Sequence, residues 1–106
     1  TTGSQQGLDL LARALGDPGD EAIVEDPSYL GALQALRAAG LRTTGIPVDA
    51  DGLDVERLAR HLDARPRSVA RPASTDAAVP PRLVYVVPTF QNPTGTTLAP
   101  ERRRHL

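Results

Sequence analysis

Apolar residues recur at helical spacing in three stretches of the chain and in short extended runs in three others. Leu8, Leu11, Ala12 and Leu15 fall at i, i+3, i+4 and i+7, which predicts a helix over 7–15 with Ser4 as its N-cap. The residues before it, 1–4, read as a strand end or a tight turn. Gly16-Asp17-Pro18-Gly19-Asp20 is a stop signal, and Glu21-Ala22-Ile23-Val24-Glu25 is a short strand. Asp26-Pro27-Ser28 opens a second helix that runs to about 39, with Leu30, Leu33 and Leu36 on its apolar face and Gly40 after its end. A weaker strand follows at 42–48, where Gly45 and Pro47 suit an edge position. Asp49-Ala50-Asp51-Gly52 is a turn, and Val55, Leu58, Ala59 and Leu62 place a third helix over 53–62. Leu83-Val84-Tyr85-Val86-Val87 is the most apolar run and reads as a buried central strand. Pro100 fits the first turn of a last helix.

Helix and strand alternate. The expected fold class is therefore α/β, with a mostly parallel sheet, right-handed crossovers and helices on both faces in a three-layer α/β/α arrangement. Residues 65–81 have no period and little to bury, and are expected to form a flexible surface insertion. The chain opens on Thr1 without a methionine and closes on Glu101-Arg102-Arg103-Arg104-His105-Leu106, a helix start without a stop. It reads as an interior piece of a longer protein, a partial domain spanning 1–106.

Composition narrows the chemistry. The net charge is -1 with both signs scattered, so no basic face supports nucleic-acid binding. No apolar run reaches transmembrane length. Cysteine is absent, which excludes disulfides and thiolate chemistry and suits a cytoplasmic protein. All twelve basic Lys and Arg positions are arginine, so a reaction that needs a lysine amine cannot be completed within these residues.

In a parallel sheet the loops alternate between two edges. Gly3-Ser4-Gln5-Gln6, Asp26-Pro27-Ser28-Tyr29 and Gln91-Asn92-Pro93-Thr94-Gly95 fall on the edge where open α/β sheets bind ligands. Ser4 and Gln5 lead into a helix N-terminus, whose free N–H groups and dipole favour an anion such as a phosphate. Tyr29 could stack on a planar ring or pack at the core rim. Asn92 offers two donors and an acceptor, or serves only as a turn-forming residue before proline. His61 and the Arg102-Arg103-Arg104 run are expected to be solvated. No carboxylate pair, metal-ligand cluster, nucleophile triad or Walker loop is present.

Taken together, Thr2-Gly3-Ser4-Gln5-Gln6-Gly7-Leu8, Asp17-Pro18-Gly19-Asp20, Val24-Glu25-Asp26-Pro27-Ser28-Tyr29 and Pro88-Thr89-Phe90-Gln91-Asn92-Pro93-Thr94-Gly95 resemble the large domain of class I/II aminotransferases. These are pyridoxal-phosphate enzymes of the aspartate aminotransferase fold, and the nearest subgroup contains 2-aminoadipate and kynurenine aminotransferases. The resemblance covers nearly the whole chain apart from 65–81. It implies that pyridoxal 5'-phosphate is the cofactor, that Ser4 and Gln5 hold its phosphate, and that Tyr29 stacks on its ring. It implies that Asn92 donates to the 3'-oxygen and lies near the substrate carboxylate. Asn92-Pro93 is the expected cis peptide. An α-amino acid and a 2-oxo acid would be the substrates, and the whole protein would be a homodimer. The family's Schiff-base lysine, its aspartate on the pyridine nitrogen and its carboxylate-clamping arginine have no counterpart here, so the chain alone is expected to be inactive.

Two other functions fit the same motifs. Some bacterial transcription regulators join a winged-helix DNA-binding domain to an aminotransferase-like effector domain, though these often carry an aromatic residue where Asn92 stands. A lyase on the same fold is the third.

Overall fold

A computed structural model describes residues 2–65 and 80–106. The expected surface insertion at 65–81 lies almost entirely outside the described residues. The elements run α1 (Gly3–Leu15), β1 (Glu21–Asp26), α2 (Leu30–Ala38), β2 (Arg42–Asp49), β3 (Gly52–Leu53), α3 (Val55–Asp63), β4 (Leu83–Tyr85) and α4 (Pro100–Arg103). The sheet order is β3-β2-β1-β4. β1 is parallel to both neighbours: Glu21 to Asp26 face Arg42 to Pro47 on one side, and Ala22 to Val24 face Leu83 to Tyr85 on the other. The short β3 turns back antiparallel against Val48 and Asp49.

The period-two alternation of β1 divides its side chains between two cores. Ala22 and Val24 pack with Ala12 of α1, Leu36 of α2 and Leu41. Ile23 packs on the opposite face with Ile46, Leu53, Leu58 of α3 and Leu98. The sheet therefore lies between α1 and α2 on one side and α3 on the other, which is the expected three-layer α/β arrangement.

Several element boundaries differ from expectation, each for a local reason. α1 begins at Gly3, so Ser4 lies in its first turn and is not the N-cap. Gln6 Oε1 reaches back to accept from the N–H and hydroxyl of Thr2, a bond that holds the residue before the helix and does not occupy the N–H groups of its first turn. Leu11 and Leu15 of the predicted stripe are exposed, as is Leu10, and only Ala12 is buried. α2 begins at Leu30 because Asp26 remains in the β1 ladder opposite Pro47 and Tyr29 is still extended. α3 begins at Val55, where the Asp54 carboxylate accepts from the N–H of Arg57 at 3.0 Å. Leu53 is thereby released into the core, at 1% exposure. Gly52 has φ +92, and a Cβ there would come within 2.8 Å of Leu98 Cα. Only glycine suits both constraints.

β4 is the largest correction. The apolar run at 83–87 pairs for only three residues and forms an edge of the sheet among the described residues. The ladder stops because the N–H of Val87 donates to the buried carboxylate of Glu25 at 3.1 Å and not to a strand carbonyl. β1 is the central strand.

The charged residues expected to be solvated are also corrected. Arg102 donates to both carboxylate oxygens of Asp49, at 2.7 and 2.8 Å, and to the carbonyls of Gly52 and Leu53. Arg103 donates to the carbonyls of Leu98 and Pro88 and to Thr89 Oγ1. α4 thus ties the β2–β3 hairpin and the 86–99 loop together. At the N-terminal end of β1, Glu21 Oε1 accepts from Thr44 Oγ1 at 2.6 Å and from Arg65, and lies 3.0 Å from His61 Nε2. That edge carries a charge cluster around a buried carboxylate.

The paired Arg102 guanidinium, chiefly through its side-chain hydrogen bonds, holds the Asp49 carboxyl below its usual range. A depressed carboxyl contributes stability above its unfolded value, about pH 4, and loses it as pH falls through the folded value. Arg102→Leu should lower stability by roughly 1 kcal/mol at pH 7, since the pair is partly exposed. The difference from wild type should shrink below about pH 4. Thermal unfolding across pH 3–7 tests this, and an unchanged difference across that range would contradict it.

Candidate functional site

The site is built around the segment that joins β1 to α2. On one side of it stands the start of α1. Gln5 Nε2 donates to the carbonyl of Gly31 at 2.8 Å, and Gln5 Oε1 lies 3.5 Å from the hydroxyl of Tyr29. Gly31 is required for this approach, because a Cβ there would sit 2.5 Å from both Gln5 Oε1 and the Tyr29 ring. The spacing Gln5–Tyr29–Gly31 thus brings two of the predicted residues together. Tyr29 is half-buried, so its ring is part of the rim and part open surface.

α1 offers an anion site at its N-terminus. It has thirteen residues, no acidic residue in its first turn and no side-chain cap from Thr2. Its positive end is uncompensated by any carboxylate of its own first turn. Ser4 is exposed in that turn.

On the other side of the β1–α2 segment stands the 86–99 loop, held by Gln91. Gln91 is 2% exposed and every polar atom of its side chain is used. Nε2 donates to Glu25 Oε2 at 3.1 Å and to the carbonyl of Pro27 at 2.8 Å. Oε1 accepts from the N–H of Thr94 at 3.0 Å and from its hydroxyl at 2.6 Å. The backbone N–H of Gln91 donates to the carbonyl of Thr96. Asn92 follows on the exposed surface of this loop, and Asn92-Pro93 is cis as expected; Asp26-Pro27 is cis as well. Phe90, on the other side of Gln91, is exposed and takes φ 50, an unusual backbone for a bulky residue.

Glu25 is 3% exposed, and burial pushes its carboxyl up; the hydrogen bonds from Gln91 and Val87 act in the opposite direction. Burial, and then the charge of Glu25, raise the Tyr85 phenol. Sequence reasoning missed Glu25 and Gln91. One signal was present: Glu25 shares the face of Ile23, so the strand period alone buries a carboxylate that needs a donor. The identity of that donor, sixty-six residues later, carries no local sequence signature.

The residues present fit a phosphorylated planar cofactor. The α1 N-terminus has free polarity for an anion, the Tyr29 ring lies beside it, and Asn92 leaves its loop exposed. The hydroxyl of Ser28, in the same β1–α2 segment, is buried without a hydrogen-bond partner. Among the described residues there is no cluster of metal-ligating side chains, and no helix is long and apolar enough to cross a membrane.

Comparison with known proteins places this geometry in context. The family model for aminotransferase class I and II matches residues 1–106. The chain is 41% identical, over 107 residues, to the 2-aminoadipate transaminase of Thermus thermophilus, covering all of this chain and 23% of that protein. It superposes with a TM-score of 0.82 and 42% identity on the kynurenine aminotransferase of Pyrococcus horikoshii, solved in complex with PMP, over 99% of this chain and 24% of that one. A regulatory protein is similar too: the probable rhizopine catabolism regulatory protein MocR of Rhizobium meliloti is 36% identical over 98% of this chain and 17% of its own length. The chain therefore spans less than a quarter of the length of these relatives.

Because burial raises the Glu25 carboxyl, its charge opposes folding, and stability should fall as pH rises from the unfolded carboxyl value through the folded one. Glu25→Gln keeps an acceptor for Val87 and Gln91 while removing the buried charge. It should be at least as stable as wild type at pH 8, and its advantage should shrink towards pH 4, where the carboxyl is increasingly protonated in both folded and unfolded states. Chemical denaturation at the two pH values reads this, and a variant markedly less stable at pH 8 would refute it.

Proposed function

This chain belongs to the class I and II aminotransferase family, and from that premise we propose that it is part of the cofactor-binding large domain of a pyridoxal-phosphate-dependent aminotransferase. The reaction would move an amino group between an α-amino acid and a 2-oxo acid. The observation that supports this most is the meeting of the α1 start, Tyr29 and the Asn92 loop around one β1–α2 segment.

Ser4 and the backbone N–H groups of the α1 first turn would hold the phosphate. Gln5 would contribute through its backbone, since its side chain is committed to Gly31. Tyr29 would stack on the pyridine ring, and Asn92 would donate to the 3'-oxygen and lie near the substrate carboxylate. When bound, pyridoxal phosphate supplies the electron sink for the chemistry. The chain's own residues bind and orient it. No lysine is present to hold it covalently or to move a proton, so those roles fall to residues beyond these 106.

The whole protein would work as a cytoplasmic homodimer on small amino and oxo acids, without a nucleic-acid or membrane partner. The MocR relative supports a second reading, an aminotransferase-like effector domain attached to a winged-helix DNA-binding domain. The residues upstream of Thr1 decide between them: a basic winged-helix segment there favours the regulator.

In the whole protein, Asn92→Ala should shift the pH at which the bound cofactor's absorption changes and cut turnover by about tenfold or more. A variant with the wild-type spectrum, pH profile and rate would remove Asn92 from the site. The 106-residue chain mixed with pyridoxal phosphate should show the spectrum of the free cofactor and no transaminase activity. Measurable amino transfer by this chain alone would contradict that expectation.

A further inference from the structure

Gln91 is buried, carries no proposed contact to the cofactor, and yet spends every side-chain hydrogen bond on the loop that presents Asn92. Its amide joins three separate pieces of chain: the Glu25 carboxylate at the end of β1, the Pro27 carbonyl before Tyr29, and Thr94 beyond Asn92. Asn92 is the next residue along, and its own backbone is bracketed by the bonds of Gln91 to Thr94 and Thr96. On the other side, Phe90 is held at φ 50 while its side chain is exposed. An unfavourable backbone persists only where its surroundings over-determine it, and the anchored neighbour is what does so here.

We propose that Gln91 is a positioning residue: clamped between Glu25, Pro27 and Thr94, it sets the orientation in which Asn92 meets the cofactor and ties that orientation to the segment carrying Tyr29. The inference rests on the pyridoxal phosphate reading given above. Three features make the clamp directional. The donors of Gln91 point at two acceptors on β1 and its following loop, so the amide cannot flip without opposing its own oxygen to Glu25. Glu25 is an acceptor for Val87 as well, so the same carboxylate fixes both ends of the turn from β4 into the loop. Thr94 donates twice to one oxygen, which closes the loop on the far side of Asn92. A residue that orients a ligand-binding side chain in this way affects the ligand without touching it.

The test is a double-substitution cycle in the whole protein, read as the dissociation constant for pyridoxal 5'-phosphate by fluorescence titration. Gln91→Leu and Asn92→Ala should each weaken binding by about tenfold, and the double variant should be no weaker than the worse single one, because Gln91 acts through Asn92. Additive losses would overturn the positioning role while leaving Asn92 as a contact. Unchanged binding in Asn92→Ala would overturn the cofactor contact itself, and the inference with it.

If Gln91→Leu fails to fold, Gln91→Glu serves in its place. It keeps the acceptor for Thr94 but faces Glu25 with a second carboxyl, with Tyr29 and Tyr85 the other titratable groups nearby. The added carboxyl can donate only when protonated, so binding relative to wild type should be close to normal near pH 5 and fall as pH rises to 8. Restoring Glu25→Gln in that background should recover binding at pH 8. A Gln91→Glu variant with the wild-type pH dependence would overturn the proposal.

Discussion

A buried carboxylate that has no ion pair among the described residues is satisfied there by neutral donors, and that constraint shapes this end of the molecule. Glu25 stands at the C-terminal end of the central strand, on the face it shares with Ile23. It takes one donor from the backbone of Val87 and one from the amide of Gln91. The first ends β4 after three residues. The second draws the following loop across the end of β1 and onto Pro27. Without these bonds the carboxylate would lose both of its donors among the described residues in a desolvated place, and a cost of a few kcal/mol would follow. The edge on which Asn92 sits is thus organised by the needs of a strand residue that makes no proposed contact with the cofactor.

The rest of the candidate site is attached a few residues further along. Gln5 reaches from α1 to the Gly31 carbonyl, and Gly31 lacks the Cβ that would block it. The stretch from Pro27 to Gly31 therefore has the Asn92 loop bound at its beginning and the α1 start bound at its end. At a distance from this site, Arg102 and Arg103 tie α4 to the β2–β3 hairpin, to Pro88 and to Leu98, so both ends of the loop are fixed as well. A loop anchored at both ends and in its middle can hold an exposed amide in one place, which is what a ligand contact requires.

The sequence carried much of this in its local patterns. Alternating helix and strand periods gave the α/β class and the parallel pairing, and the turn residues placed the three loops on one edge. The Asn92-Pro93 bond was legible through family resemblance, whereas the cis bond at Asp26-Pro27 was not foreseen. What escaped were interactions between residues far apart in the chain. Glu25 with Gln91, Glu21 with His61 and Arg65, and Asp49 with Arg102 each join side chains that read separately as ordinary surface charges or turn residues. The start of α1 was misplaced because the helix begins at Gly3, which puts Ser4 inside the first turn, while Gln6 reaches back to hold Thr2. β4 looked central from its apolarity alone, since hydrophobic content does not reveal which strands flank it.

The central claim is that three sequence-distant segments form one cofactor cradle around the end of β1. Hydrogen–deuterium exchange on the whole protein, with and without pyridoxal 5'-phosphate, tests it most directly. The account predicts that the cofactor slows exchange together in the first turn of α1, in the 26–31 segment and in the 90–96 loop, while the Gly16–Asp20 turn at the opposite edge is unchanged. Protection confined to other parts of the protein, with these three segments unaffected, would contradict it.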